Sequence, residues 1–193
     1  MIRRTTSRAL LAVALTAALA ACGSDDGSAA SPASTSGSPA GTSSAAPTTT
    51  ACETVPPTAE PDPSVAADLS QKPEVPATDA APPCDLVISD VVVGTGAEAV
   101  QGTTAEVKYV GAFYESGQEF DSSWSRSPDE TIAVPLGGGR VIPGFEQGIT
   151  GMKVGGRRLV VIPSELGYGP QGTGPIPGGA TLVFVIDLVE VVP

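Results

Sequence analysis

The sequence predicts an α+β domain, in which a twisted antiparallel β-sheet wraps one short α-helix, preceded by a disordered tether. Two observations support this. All aromatic residues lie between Tyr109 and Phe184, and segments of alternating apolar residues are confined to the same C-terminal part. Because a chain folds only where buried apolar surface offsets its conformational entropy, the folded domain is placed at residues 84–193.

Strands account for most of the predicted domain. In the last strand, Leu182 and Phe184 fall on one face, whereas Val183 and Val185 fall on the other. This period of two residues, with many β-branched side chains, is typical of strands. The segments that carry the pattern are 87–93, 105–114, 157–162 and 181–192.

Helical signal is scarce and centres on residues 144–150. Phe145 and Ile149 are four positions apart and so share one helix face, and Gly151 follows as a stop signal. A mainly antiparallel sheet with one short helix against it is an α+β arrangement.

Composition excludes several classes of function. The 193 residues include no histidine, which excludes a Ser-His-Asp or Cys-His nucleophile and nearly all zinc sites built on imidazole. The formal net charge of -11 makes nucleic acid an unsuitable partner. Acidic residues are scattered along the chain, so no metal site is expected.

Residues 1–21 are predicted to be a lipoprotein signal peptide. Basic residues Arg3, Arg4 and Arg8 precede an apolar run that would span about 20 Å as a helix, short of a ~30 Å bilayer core. The run ends in Leu19-Ala20-Ala21-Cys22, which resembles a bacterial lipobox with Cys22 as the lipidated residue. We therefore expect export and lipid anchoring at the outer face of the cytoplasmic membrane. The alternative is ordinary cleavage beside a chance cysteine.

Residues 22–83 are predicted to be a disordered, lipid-anchored linker rich in Ala, Ser, Thr and Pro. Cys52 and Cys84 bracket its second half. Because disulfides are permitted outside the cell, we expect these thiols to pair and to strap this segment onto the domain. Two exposed free thiols are the alternative.

The chemistry-bearing residues of the domain are mostly aromatic and aliphatic, with Asp121 beside Phe120. This composition suits an apolar pocket that holds a few polar groups. The residues are Tyr109, Phe120, Trp124, Phe145, Tyr168, Phe184, Val141 and Ile142.

An ordered set of motifs along residues 84–193 resembles the FKBP-type peptidyl-prolyl cis-trans isomerases, here in a bacterial lipoprotein form. Each motif alone is weak evidence, but their order is specific. They are Tyr109-Val110-Gly111, Gly117 to Ser123, Val141 to Gly148, Gly167-Tyr168-Gly169 and Ile176 to Phe184.

The resemblance implies catalysed rotation of X-Pro peptide bonds. That rotation has a barrier of ~18–20 kcal/mol, because the peptide bond has partial double-bond character. An apolar pocket that removes water and holds the bond twisted lowers the barrier without a nucleophile, an acid, a base or a cofactor.

The resemblance also implies roles for residues. Phe145 would lie beneath the proline ring, Tyr168 hydroxyl and Ile142 N–H would bond substrate carbonyls, and Asp121 would orient polar groups at the rim with Arg126. The surrounding walls would be Tyr109, Phe120, Val141, Ile142 and Phe184, with Ile176 on the covering loop.

Each of these residues also has a purely structural interpretation. Strand aromatics are often plain core, Asp121 could close a turn, and Arg126 could be a solvated surface charge. Phe145 stands where the family often has tryptophan, and Ile132 where it often has an aromatic residue.

The expected function is therefore an isomerase that assists folding of exported proteins. A non-catalytic module that binds or holds Pro-containing segments is the alternative. The expected partners are X-Pro-containing polypeptides, macrolide immunophilin ligands and, through Cys22, the membrane, with the chain as a monomer.

Overall fold

The computed structural model describes residues 52–193. The predicted signal peptide, Cys22 and the linker up to residue 51 lie outside this part. Within residues 52–193, no helix is both long and apolar enough to cross a membrane. The elements are β1 (Val87–Val92), β2 (Thr104–Phe113), β3 (Glu119–Ser122), β4 (Ile132–Pro135), α1 (Pro143–Ile149), β5 (Arg157–Ile162) and β6 (Leu182–Val192), with short 3-10 helices at Ser164–Leu166 and Gly169–Gln171.

All strands join one antiparallel sheet, in the order β1-β5-β6-β2-β3. β3 and β4 pair with successive parts of β2, so the sheet has six strands. With one short helix against it, this confirms the predicted fold class. β3 and β4 were not predicted, because four residues carry too little periodicity to be recognised.

Helix α1 lies unusually close to the sheet because it contains glycines. A Cβ atom at Gly144 would come within 2.4 Å of Ile162, and one at Gly148 within 2.8 Å of Val160. Arg158 donates to the carbonyls of Gly148 (2.9 Å) and Thr150 (3.4 Å), which anchors the C-terminal end of the helix. The main core therefore forms between α1 and this face of the sheet.

The opposite face of the sheet is covered as well. Val87, Val161 and Val183 form a second buried cluster, against which Val55 and Val75 pack. The split of β6 into two apolar faces is thus confirmed. Both faces are buried because the segment between the two cysteines lies across the sheet.

We call residues 53–83 the strap. A disulfide joins Cys52 to Cys84 and closes this segment as a loop. The strap pairs with the edge of the sheet through a parallel bridge between Thr58 and Ile88, and Val65 is only 3% exposed. Sequence analysis assigned these residues to a disordered linker; the structure differs because the closed loop buries apolar side chains on the sheet. On an entropic model, such a closure constrains the unfolded chain by about 3–4 kcal/mol.

Arg157, on β5, holds the strap against the sheet through hydrogen bonds. Its side chain is fully buried, and it forms a bidentate pair with Asp187 at 2.6 and 2.7 Å. The remaining N–H groups donate to strap carbonyls of Ala66 (2.6 Å), Asp68 (3.2 Å) and Gln71 (3.0 Å). All five guanidinium donors are therefore satisfied. Burial raises the pKa of Asp187, and hydrogen bonds from Arg157 act in the opposite direction.

Candidate active site

A cavity of about 490 Å³ opens between the N-terminal end of α1, the strands and the loop that carries Tyr168. It brings together residues that are far apart in the sequence. They are Tyr109, Phe120, Asp121, Ile132, Gly139, Arg140, Val141, Ile142, Pro143, Phe145, Tyr168 and Phe184.

The floor of the cavity is aromatic. The ring centroid of Phe145 lies 5.7 Å from that of Tyr109 and 5.0 Å from that of Phe184, with the rings near perpendicular. Such edge-to-face pairs stabilise a fixed arrangement of rings. Gly111 permits it, because a Cβ atom there would lie 2.7 Å from Phe184 and 2.9 Å from Phe120.

A polar network closes one side of the cavity. Tyr109 hydroxyl donates to Asp121 Oδ2, and Arg126 Nη1 donates to Asp121 Oδ1 at 3.1 Å. The Arg126 guanidinium lies 5.8 Å from the centroid of the Tyr109 ring and also pairs with Glu130. Burial, followed by the hydrogen bond to Asp121, raises the pKa of Tyr109 to about 12. The Tyr109 hydroxyl is thus committed to Asp121 as a neutral donor.

Two hydrogen-bond donors at the rim of the cavity are not part of this network. Within residues 52–193 no backbone carbonyl accepts the N–H of Ile142, and the Tyr168 hydroxyl takes no part in the side-chain hydrogen bonds of Tyr109, Asp121 and Arg126. Tyr168 is 37% exposed, and burial raises the pKa of its hydroxyl, as does the charge of Asp121 to a lesser degree. Both groups are therefore available to a ligand carbonyl.

Glu146 of α1 fixes the loop that precedes Ile142. Its carboxylate accepts the N–H of Gly137 at 2.8 Å and that of Gly139 at 3.2 Å. The side chain therefore acts on the site by positioning backbone.

The arrangement suits a reaction that needs desolvation and orientation. Aromatic and aliphatic walls exclude water, and the free donors can hold carbonyl groups on either side of a bound ring. Within residues 52–193, no three His, Cys, Asp or Glu side chains are grouped as a metal site requires.

Known proteins are similar to this chain in sequence and in fold. Residues 96–189 match the model of the FKBP-type peptidyl-prolyl cis-trans isomerase family. A probable FK506-binding protein of Corynebacterium glutamicum is 52% identical over 120 residues, which are 62% of this chain and 98% of that protein. The chain belongs to this family. An FK506-binding protein of Streptomyces anulatus is 48% identical over 123 residues, 63% of this chain and 98% of the relative.

Two solved structures are similar in fold to part of this chain. The crystal structure of AtFKBP13 has a TM-score of 0.50 and 38% identity, and the match covers 54% of this chain and 91% of that one. The crystal structure of FkpA from Escherichia coli has a TM-score of 0.51 and 35% identity. That match covers 65% of this chain and 55% of the FkpA chain.

Most site residues that the FKBP resemblance implied line the cavity, but two do not. Arg126 lies outside the lining and contacts two lining residues, Asp121 through an ion pair and Tyr109 through the face of its ring. Ile176, predicted on a loop over the pocket, is 6% exposed and packs in the main core. The reason is local, because Thr173 and Ile176 exchange backbone hydrogen bonds at 2.9 and 2.8 Å, and the resulting tight turn goes with an inward-facing Ile176.

Sequence reasoning missed Gly139, Arg140 and Pro143 as lining residues. The available signal was Arg140, a lone cation directly before the Val141-Ile142 pair of the FKBP motif. Ile132, which stands where the family often has an aromatic residue, lines the cavity from β4. Trp124 is absent from the lining; the Nζ atom of Lys108 lies 4.5 Å from the centroid of its ring.

Proposed function

We propose that the chain accelerates rotation of X-Pro bonds in exported polypeptides at the membrane surface. The observation that carries the proposal is the pair of free donors, Tyr168 hydroxyl and Ile142 N–H, at the rim of an aromatic cavity. Membership of the FKBP-type isomerase family supports it.

The mechanism follows from the site. The proline ring rests on Phe145, between the rings of Tyr109 and Phe184. Exclusion of water weakens the planar, polar form of the amide, and the rim donors hold the flanking carbonyls while the bond rotates. Each ~1.4 kcal/mol gained by the twisted bond over the planar bond raises the rate about tenfold.

The same cavity is proposed to bind macrolide ligands. The relatives of Corynebacterium glutamicum and Streptomyces anulatus are named as FK506-binding proteins. A cavity of about 490 Å³ with aromatic walls is in the size range of small-molecule pockets.

We further propose that the chain is an exported lipoprotein, anchored through Cys22 at the outer face of the cytoplasmic membrane. The lipobox-like Leu19-Ala20-Ala21-Cys22 supports lipidation. The Cys52–Cys84 disulfide supports export, because such bonds persist in oxidising compartments. The monomer is proposed as the active form.

The decisive experiment measures cis-to-trans isomerisation of an X-Pro tetrapeptide with the full chain, with and without FK506. Acceleration that FK506 abolishes is the expected result. Binding of the peptide without acceleration would assign a non-catalytic binding or holdase module instead.

A further inference from the structure

A second cavity, of about 680 Å³, lies at the end of the sheet where β2 finishes and β6 begins. We call it the strap groove because the strap supplies one wall through Pro82. The other walls come from the end of β2 with its following turn and from the loop before β6. The lining residues are Pro82, Phe113, Tyr114, Glu115, Ser116, Pro175, Pro177, Gly178, Gly179, Ala180 and Thr181.

Hydrogen bonds fix the walls of the strap groove. Pro82 O accepts the N–H of Glu53 at 2.8 Å, beside the Cys52–Cys84 disulfide. Tyr114 N–H donates to Thr181 O at 3.1 Å, and Tyr114 hydroxyl donates to Ala81 O at 3.3 Å. The groove is therefore preformed, with little ordering left for a ligand to induce.

The strap groove adjoins the active-site cavity across one aromatic pair. The ring of Phe113, in the groove, lies 5.2 Å centroid to centroid from the ring of Phe120, which lines the active site. An extended chain advances ~3.3 Å per residue. The distance between these lining rings corresponds to about two residues of extended chain, so a polypeptide bound in the active site can continue into the groove.

The chemistry of the groove favours an extended apolar chain. Three prolines and two aromatic residues line the groove together with small residues, and Glu115 is its one charged residue. Troughs of proline and aromatic side chains bind extended and polyproline II segments, because such segments present apolar ridges at low entropic cost.

We propose that the strap groove binds the part of the polypeptide substrate that flanks the prolyl bond, two or more residues away, with a preference for aliphatic and prolyl side chains. This rests on the proposed isomerase function and names its substrate class: unfolded polypeptide chains with apolar residues near the proline. Short peptides use the active site alone.

The test compares two synthetic substrates on the full chain. One is a Leu-Pro tetrapeptide; the other extends it on both sides with Leu and Pro residues. Pro175→Glu and Ser116→Arg place charge and bulk on opposite, exposed walls of the groove. Pro63→Glu, at an exposed strap proline away from the groove, is the matched control. Isomerisation is followed by NMR exchange, and binding by fluorescence anisotropy.

We expect each groove variant to lower kcat/KM and affinity for the long peptide about tenfold, equivalent to about 1.4 kcal/mol. The tetrapeptide values, and all values of Pro63→Glu, are expected to stay unchanged. Equal losses on both peptides, or no loss on the long one, would overturn the proposal.

The two proposals fail separately. If the tetrapeptide is not accelerated, the isomerase function fails, and anisotropy with the long peptide still decides whether the groove binds it. If deletion of residues 23–50 strengthens binding of the long peptide, the chain's own N-terminal segment occupies the groove and the substrate assignment is wrong. Dimerisation that the groove variants abolish would likewise overturn it, with a second copy as the occupant.

Discussion

Two tyrosines at the active site differ in the hydrogen bonding of their hydroxyl groups. Tyr109 hydroxyl is bound to Asp121, whereas Tyr168 hydroxyl is free within the described residues. The first group therefore shapes the site, and the second is available to bind a substrate.

Tyr168→Phe tests that division. The variant should lower kcat/KM on X-Pro peptides about fivefold, because one hydrogen bond contributes about 1 kcal/mol. The free energy of unfolding should not change, since the lost hydroxyl has no partner within residues 52–193. Peptide assays and urea unfolding measure the two quantities. Tyr114→Phe, in the strap groove, is the control and should retain full activity on a tetrapeptide; a loss there equal to that of Tyr168→Phe would contradict the assignment.

The raised pKa of Tyr109 predicts how the stability of the fold changes at alkaline pH. Its pKa is about 12 in the folded chain, against 10.0 for an unperturbed tyrosine. A raised pKa stabilises the folded state fully below pH 10, and this contribution is lost as the pH rises from 10 towards 12. Urea unfolding over that range should show that the free energy of unfolding falls more steeply with pH for the natural chain than for Tyr109→Phe. Equal slopes would show that Tyr109 ionises as readily in the fold as outside it.

At the scale of elements, one strand residue supplies several of the hydrogen bonds that hold the strap. Arg157 on β5 contacts both Asp187 on β6 and three carbonyls of the strap. The strap is thus held by the hydrogen bonds of Arg157 and by the apolar contacts of Val55 and Val75 with the sheet.

Arg157→Met should destabilise the chain by about 3–5 kcal/mol, because it leaves Asp187 buried without its partner. It should also expose the strap to proteolysis between residues 53 and 83. Arg158→Met is the matched control: its partner Asp90 is partly exposed, so we expect a loss of about 1–2 kcal/mol and an intact strap. Urea unfolding and reducing gels after proteinase K treatment measure both effects. A protected strap in Arg157→Met would contradict the fastening role.

Sequence periodicity predicted the long elements and missed the short ones. β5 was predicted at its observed bounds, and the last strand within one residue, because β-branched alternation is strong there. β3 and β4 are held by pairing with β2, which local sequence does not reveal. Signals for the packed strap were present in apolar residues on both faces of β6 and in the two arginines, Arg157 and Arg158, that begin the otherwise apolar strand β5.

The candidate site was predictable as a set of residues and not as a geometry. The aromatic walls follow from ordered motifs, so Phe145, Phe184 and Tyr109 were expected together. The inward packing of Ile176 depends on a four-residue turn, and the contribution of β4 depends on strand pairing across the sheet. Neither a short turn nor the pairing of strands that are distant in sequence can be read from hydrophobic periodicity.

At the scale of the whole molecule, the N-terminal part is expected to set location and the C-terminal part chemistry. Cys22→Ser should move the protein from the membrane fraction to the soluble exported fraction, because acylation of that cysteine would be lost. Isomerase activity per molecule should not change, since no residue of the site lies near the anchor in sequence. Fractionation followed by peptide assay measures both. Retention of Cys22→Ser at the membrane would contradict lipid anchoring.

The disulfide also determines how the molecule bears mechanical load. A pulling force on the chain before Cys52 passes through the disulfide directly to Cys84, three residues before the start of β1. The strap lies outside this path and carries no tension. Once the bond is reduced, the same force would peel the strap from the sheet and release 32 residue steps, about 110 Å of extended chain. The redox state of one bond therefore sets the length that an anchored molecule can yield under tension.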